Sequence, residues 1–175
     1  MMKGWGLFWL GLALLCSVHA EPECTGDDSQ MEGTWHVIGA GSNGFHISIV
    51  KDVTKMVTAS MSFPEEGKLK VTSNFPLQNG CKIIEMEFEK MDDGMYYHFS
   101  EVGKKTIEIV RTDCEDYAIV IVKIEKDGKA STILILFSKN REVSPEIKQH
   151  FTAVGERQGL MSDQIVFFSP EGVLG

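Results

Sequence analysis

The stretch GTWHVIGA, residues 33–40, decides the fold of this chain. Glycine favours turns, whereas the tryptophan, valine and isoleucine that follow favour extended strands. The stretch therefore predicts the start of a β-strand, with the bulky ring of Trp35 directly at its beginning. Whether that ring has a structural or a catalytic task depends on the fold that the rest of the chain adopts.

Residues 1–20 have the pattern of a secretory signal peptide. Lys3 gives a positive start, residues 5–16 are mostly apolar, and Val18-His19-Ala20 places small residues at the −3 and −1 positions of a cleavage site. A membrane anchor needs about 20 apolar residues, and no later stretch is long enough to span a bilayer. We therefore predict cleavage after Ala20 and a soluble, secreted mature protein, residues 21–175, that does not insert into membranes.

The overall composition favours a single acidic domain. The chain of 175 residues has 17 basic and 25 acidic side chains and a formal net charge of −8. Residues 21–175 are enough for one domain with a sizeable core. A chain this acidic has no electrostatic reason to bind nucleic acid or anionic lipid, so neither is expected as a partner.

Three cysteines follow the predicted cleavage site, namely Cys24, Cys81 and Cys114. In an oxidising compartment an odd number allows one internal bridge and leaves a thiol that is free or paired between chains. No spacing of cysteine and histidine suggests a zinc site, and no Ser/His/Asp arrangement can be inferred from the spacing. We expect no metal and no cofactor.

Short strands separated by turn signals fill residues 33–138. Period-two alternation of charged and apolar residues is clear over residues 68–72, 85–89 and 105–109. Residues 117–124 and 132–137 are apolar on both faces, so strands formed there must be covered on both sides. The turn signals between the strands are Pro64-Glu65-Glu66-Gly67, Gln78-Asn79-Gly80, Asp92-Asp93-Gly94, Val102-Gly103 and Lys126-Asp127-Gly128.

One helix is predicted after the strands. Ser144-Pro145-Glu146 supplies an N-cap, a proline at the first helical position and an acid in the first turn. Ile147, Phe151 and Val154 then form one apolar stripe, and the helix is expected to end near Gly159. Residues 164–168 predict a final short strand.

These elements predict an all-β fold with one flanking helix. Eight antiparallel strands joined mostly by hairpins, each with one charged and one apolar face, close into an up-and-down barrel or pack as a sandwich. The interior of an eight-stranded barrel can hold one small ligand.

Three motifs in order resemble those of the lipocalin family. They are Gly33-x-Trp35 at the first strand, Thr112-Asp113 before the seventh, and a basic residue after the eighth, followed by the C-terminal helix. The resemblance covers nearly all of residues 21–175. It implies an eight-stranded antiparallel barrel with a C-terminal helix, in which Trp35 closes the narrow end.

The same resemblance implies structural roles for the other motif residues. A basic side chain is expected to lie across the Trp35 ring in a cation–π contact. The family usually has arginine there, whereas this chain has Lys139, with Arg141 two residues on. Asp113 is expected to brace the loop at the closed end. Trp35 is therefore predicted to be structural and not catalytic.

Within the family, the chain resembles the branch of lipocalin-type prostaglandin D synthase and the epididymal and odorant-binding secretory lipocalins. Leu69-x-Val71-Thr72-Ser73-x-Phe75 and the helix sequence after Ile147 are similar to that branch. The synthase uses a cysteine thiolate on the second strand, and the matching position here is Val57. A valine cannot be a nucleophile, so we do not expect an enzyme.

The resemblance also bears on the cysteines. The usual family disulfide joins a cysteine at the start of the fourth strand, which Cys81 matches, to one in the C-terminal tail. No cysteine follows Cys114 in this sequence. Cys24 and Cys114 remain open as partners of Cys81.

Alternation and the resemblance together predict the interior of the barrel. Glu85, Glu87 and Glu89 are expected outside, so the residues between them point inward. The predicted ligand-binding set is aliphatic and aromatic, with charge expected only at the mouth, and comprises Val37, Val57, Ala59, Met61, Leu69, Val71, Phe75, Ile84, Met86, Phe88, Ile107, Ile109, Ala118, Val120, Ile133, Ile135 and Phe137. The small residues Ala59, Ala118 and Gly39 favour some open volume.

The function expected from this interior is that of a secreted carrier. Its ligand would be a small hydrophobic molecule such as a retinoid, fatty acid, steroid or odorant. Two alternatives are an isomerase of the prostaglandin synthase type, which Val57 disfavours, and an extracellular interaction protein with a filled barrel. A cell-surface receptor is a candidate partner, and the chain is expected to be a monomer or a weak homodimer.

Overall fold

The computed structural model describes residues 28–44, 52–101, 103–113 and 115–174. The predicted signal peptide, Cys24 and Cys114 lie outside these residues. A short 3₁₀ helix, Asp28–Met31, precedes ten strands and one α-helix, α1 (Pro145–Arg157). The strands are β1 (Gly33–Ser42), β2 (Thr58–Ser62), β3 (Lys68–Leu77), β4 (Gly80–Lys90), β5 (Tyr96–Ser100), β6 (Gly103–Thr112), β7 (Tyr117–Lys126), β8 (Lys129–Ser138), β9 (Ile165–Ser169) and β10 (Gly172–Leu174).

Strands β1 to β8 form a closed antiparallel barrel. Each strand pairs with the next along the chain, and β1 also pairs with β8, from His36↔Ser138 to Ser42↔Ile133. Closure removes the unpaired edges that an open sheet would have. The predicted fold is therefore confirmed: an eight-stranded up-and-down barrel with one C-terminal helix.

A bulge in β1 separates two apolar clusters. The register of β1 with β8 shifts between Val37 and Gly39, so Ile38 and Gly39 both face outward, toward the core under the helix, whereas Val37 and Ala40 face the inner core. Strict alternation would send every second residue inward, and a bulge adds one residue that breaks it. The first strand thus contributes to both cores.

Helix α1 covers the outer face of the barrel where the sequence is apolar on both sides. Ser144 caps it, its Oγ accepting from Ile147 N at 3.4 Å, and Pro145 opens the first turn. Phe151 and Val154 pack with the outward side chains of β7 and β8, which are fully buried there: Ile119, Ile121, Leu134 and Leu136. This contact with the helix explains why β7 and β8 are apolar on both faces.

Glycine lets α1 approach β1 closely. A Cβ on Gly39 would lie 3.0 Å from the Phe151 ring and 3.1 Å from the Phe167 ring. Gly39 therefore makes room for the helix outside the barrel and adds no volume inside it, contrary to the expectation from sequence.

The C-terminal strands lie beside β1. β9 pairs with Gly39–Gly41 of β1, and β10 pairs with β9. The final strand predicted over residues 164–168 is present over Ile165–Ser169, whereas β10 was not predicted. Among the described residues, no helix has the length and apolar character needed to cross a membrane.

Candidate functional site

The barrel is closed at one end around Trp35. The ring is fully buried, and its Nε1 donates to the carbonyl oxygen of Met31 at 2.8 Å. Lys139 Nζ lies 5.0 Å from the ring centroid, within cation–π range. The indole thus joins the 3₁₀ helix, β1 and the end of β8 into one plug, which we call the Trp35 end.

Asp113 braces the loop between β6 and β7 at the same end. Its Oδ1 accepts from the backbone N–H groups of Glu115, Asp116 and Tyr117 at 2.8–3.1 Å. Thr112 is the last residue of β6 and pairs with Ala118. The Thr112-Asp113 motif therefore lies at a turn near Lys139, whose N–H donates to the carbonyl of Asp116.

Arg141 does not lie on the indole in the described contacts; its charge acts on His36. Burial, and then the Arg141 guanidinium, lower the pKa of His36 below its usual value. Cys81 is exposed, forms no disulfide with a described residue, and lies opposite Pro76 of β3. Its pairing with Cys24 or Cys114 stays open, because those residues are outside the described part of the chain.

The barrel encloses a cavity of about 290 Å³. This volume is near the lower end of the range of about 300–1,000 Å³ found for small-molecule sites. Nearly all residues predicted for the interior line it, namely Val37, Val57, Met61, Leu69, Val71, Phe75, Ile84, Met86, Phe88, Ile107, Ile109, Val120, Ile133, Ile135 and Phe137. A filled barrel would leave no such space.

Ala59 and Ala118 are the exceptions. Both face the interior and are almost fully buried, with 1% and 0% of their surface exposed, but neither lines the cavity. Ala59 pairs with Trp35 and Ala118 with Phe137. Their small side chains leave room for these rings, so they contribute to the packing around the plug and not to the open volume.

The floor of the cavity was not predicted. Met31 and Tyr96 line it and are 5% and 3% exposed. The Tyr96 hydroxyl donates to Asp28 Oδ2 at 2.6 Å, and Lys90 Nζ pairs with the same oxygen at 2.5 Å. Burial, and then the hydrogen bond to Asp28, raise the pKa of Tyr96 above its usual value, so the phenol keeps its proton. These bonds hold the 3₁₀ helix against the barrel.

Lys105 is the one charged side chain in the described wall of the cavity. It is half-buried near the start of β6, toward the end of the barrel opposite Trp35, and its Nζ lies 3.6 Å from Met86 Sδ. No carboxylate pairs with it among the described residues. The alternation that placed Ile107 and Ile109 inside also places Lys105 inside. The position of Lys105 could therefore have been predicted from the sequence.

The described residues hold neither a cysteine at the position that matches the catalytic cysteine of the synthase nor a cluster of candidate metal ligands. Val57 is buried in the cavity wall at the position where the synthase has its cysteine. No group of three or more candidate metal ligands occurs in the described residues. His98 lies outside the described lining, its Nδ1 2.8 Å from the carbonyl oxygen of Glu87. The geometry is that of an apolar binding cavity with one cation.

Comparison with known proteins identifies the family. The lipocalin / cytosolic fatty-acid binding protein family matches residues 32–172. The chain is a lipocalin. An extracellular fatty acid-binding protein of Coturnix japonica is 37% identical, over 92% of this chain and 90% of the relative. A second protein with that description, from Gallus gallus, is 35% identical over the same shares.

Solved structures agree with this lipocalin assignment. One described as the siderocalin Ex-FABP has a TM-score of 0.68 at 31% identity, covering 78% of this chain and 92% of its own. Another, described as siderocalin Q83, has a TM-score of 0.70 at 30% identity, covering 85% and 95%. The family predicted from the motifs is confirmed, although the two relatives from Coturnix japonica and Gallus gallus are described as extracellular fatty acid-binding proteins and not as members of the synthase branch.

The names of these relatives also bear on whether the protein is secreted and on whether it is a carrier or an enzyme. The similar lipocalins from both birds are extracellular by name, in agreement with the predicted secretion. They are named for binding and not for a reaction, which agrees with the prediction of a carrier that is not an enzyme. The position of signal cleavage and the oligomeric state remain predictions.

Proposed function

We propose that this lipocalin carries an elongated apolar molecule with one acidic end, such as a long-chain fatty acid. The observation that carries the proposal is the ammonium group of the half-buried Lys105 in a described wall that is otherwise uncharged and mostly apolar. Apolar burial supplies about 25 cal/mol for each Å² removed from water. A carboxylate supplies the partner that Lys105 lacks among the described residues.

The relatives support the choice of ligand class. Two of them are named for binding fatty acids, and the present cavity has the features that such a ligand needs. A hydrocarbon chain fits against Val120, Ile135 and Phe137, which offer no polar group to it. A neutral retinoid or steroid would leave Lys105 partly desolvated and unpaired, which is unfavourable.

Replacement of Lys105 by methionine tests this proposal. We expect the affinity for a long-chain fatty acid to fall about tenfold, because a charge-assisted hydrogen bond at a partly exposed site contributes on the order of 1.5 kcal/mol. The affinity for the alcohol of the same chain length should not change. Calorimetric titration of both ligands measures the difference.

Lys104→Met is the matched control. Lys104 is the preceding residue of β6 and points outward, where its Nζ lies 3.5 Å from Glu125 Oε2. The Lys104→Met substitution removes one positive charge from the chain, as Lys105→Met does, but leaves the cavity wall unchanged. Equal losses of fatty acid affinity in the two variants would reject a local role for Lys105, and a wild-type protein that takes up no fatty acid would reject the carrier proposal itself.

An iron chelate is the second candidate ligand, because two solved relatives are described as siderocalins. Ferric catecholate chelates carry several negative charges, and desolvating them requires several cations. The described wall offers only Lys105. We therefore expect fluorescence quenching to detect no binding of a ferric tris-catecholate at concentrations that saturate the protein with fatty acid; tight binding would contradict the single-anion proposal.

A further inference from the structure

The hydrogen bonding of the barrel wall is interrupted between β4 and β5. β3 and β4 pair over their whole length, from Lys68↔Glu89 to Leu77↔Gly80. β4 and β5 pair only at Glu89↔Tyr97 and Lys90↔Tyr96. In the described part of the chain, β4 has no strand partner on this side before Glu89. We call this interval, between residues 80–88 of β4 and residues 98–100 of β5, the seam.

His98 bridges the seam with its side chain. A regular continuation of the register would place Phe99 opposite Glu87 and let backbone N–H groups reach the β4 carbonyls. Instead, His98 Nδ1 lies 2.8 Å from the carbonyl oxygen of Glu87. The carbonyl only accepts, so Nδ1 donates. An imidazole ring therefore occupies a place that a strand backbone would otherwise fill, and its centroid lies 5.8 Å from that of the Phe88 ring, with the two rings tilted by 60°.

Lys105 crosses the same interval on the inner side. It pairs with His98 across β5 and β6, and its Nζ contacts Met86 Sδ of β4 at 3.6 Å. Both contacts across the seam are made by side chains. Side chains change rotamer in picoseconds to nanoseconds, whereas paired strands separate far more slowly. The seam is therefore a part of the described wall that can open without breaking the strand ladder.

The outer side of the seam carries two aromatic rings on β5, opposite the outward carboxylates Glu85 and Glu87 of β4. Phe99 is 63% exposed and lies parallel to Tyr97, with 5.9 Å between ring centroids. These rings are next to His98 in the sequence and on the opposite face of β5. They offer a hydrocarbon chain a surface to rest on outside the wall, with Lys105 immediately inside it.

We propose that the seam is a side entrance to the cavity for an elongated amphiphile with one anionic group, with His98 as its gate and Lys105 as the cation that draws the carboxylate inward. This proposal rests on the proposed carrier function and adds the path by which the ligand enters and leaves the cavity. An entrance changes how fast the ligand passes and not how tightly it is held. Seam variants should therefore alter association and dissociation rate constants by the same factor and leave Kd unchanged.

His98→Ala opens the gate. In stopped-flow measurements with the fluorescent fatty acid cis-parinaric acid, we expect both rate constants to rise roughly fivefold, the factor for loss of one ordinary hydrogen bond. His150→Ala is the control, because His150 is exposed on α1 away from the barrel wall. Rate constants equal to those of the wild type would overturn the proposal.

A second pair of variants tests the seam from the outside, with His98 and Lys105 left unchanged. In a Cys81→Ser background, Phe99→Cys is alkylated with a bulky maleimide, and Thr72→Cys, on the outer face of the fully paired β3, is the control. The parent protein is treated with the same reagent. We expect slower uptake and release only with the adduct at residue 99, at unchanged Kd.

The outcomes separate the two proposals. If the wild-type protein does not bind the probe, the carrier function is wrong. If it binds, but neither the His98 variant nor the adduct at residue 99 changes the rate constants relative to its control, the side entrance is wrong and the carrier function stands.

Discussion

Replacing Trp35 by alanine is expected to lower the free energy of unfolding by about 3–5 kcal/mol, the usual cost of removing a large buried aromatic side chain. The ring has no exposed surface, packs in the inner core and donates a hydrogen bond to Met31. Its removal leaves a void and also releases the 3₁₀ helix that floors the cavity. Denaturant unfolding followed by circular dichroism measures the loss.

Two variants define what holds the ring. Lys139→Ala is expected to cost about 0.5–2 kcal/mol, the range of a cation–π contact, whereas Arg141→Ala should cost less because Arg141 makes no described contact with the indole. If Trp35→Ala leaves the unfolding midpoint where it is in the wild type, the ring is not the plug that closes the barrel.

Phe137→Asp is expected to abolish ligand uptake and to destabilise the fold by several kcal/mol, because an unpaired carboxylate would be buried in an apolar wall. Phe137 is 5% exposed and lines the cavity between Val37 of β1 and Ala118 of β7. Burial raises the pKa of the new carboxyl group above its unfolded value of about 4. The destabilisation should therefore be largest at neutral pH and lessen as the pH falls toward that value.

Two controls isolate the effect of the charge. Phe137→Leu keeps the wall apolar and should retain uptake, and Ala130→Asp places the same charge at an exposed position of β8. Uptake is followed by titration with a fluorescent fatty acid, and folding by circular dichroism. A folded Phe137→Asp protein that binds as well as the Phe137→Leu protein would show that this wall is not the binding site.

Alternation in the sequence predicted most of the cavity wall, because a strand that separates water from an apolar interior must change polarity at every residue. The glutamates of β4 identified Ile84, Met86 and Phe88 as inward residues, and the cavity is lined by all three. The same pattern in β6 identified Ile107 and Ile109. Lys105 follows the same alternation and lies toward the end opposite Trp35, where charge was expected, but it was not among the predicted residues.

Local sequence could not predict which inward side chains would reach open space. Ala59 and Ala118 face inward, yet neighbouring rings occupy the space beside them. Gly39 suggested volume inside the barrel, but it accommodates Phe151 outside. These positions depend on contacts between residues far apart in the chain, which no local pattern contains.

The sequence by itself determined the antiparallel strands, the helix and its cap, and the inward faces of most strands, because hydrophobic periodicity and turn residues act over a few positions, and its motifs indicated the barrel through their resemblance to a family. The tertiary structure alone decided where β1 bulges, how Asp28 and Tyr96 build the floor, and where β4 and β5 separate. Each of these depends on how strands of unequal length meet after the barrel closes. Closure is a global constraint, and its effects fall on particular residues only once every strand is in place.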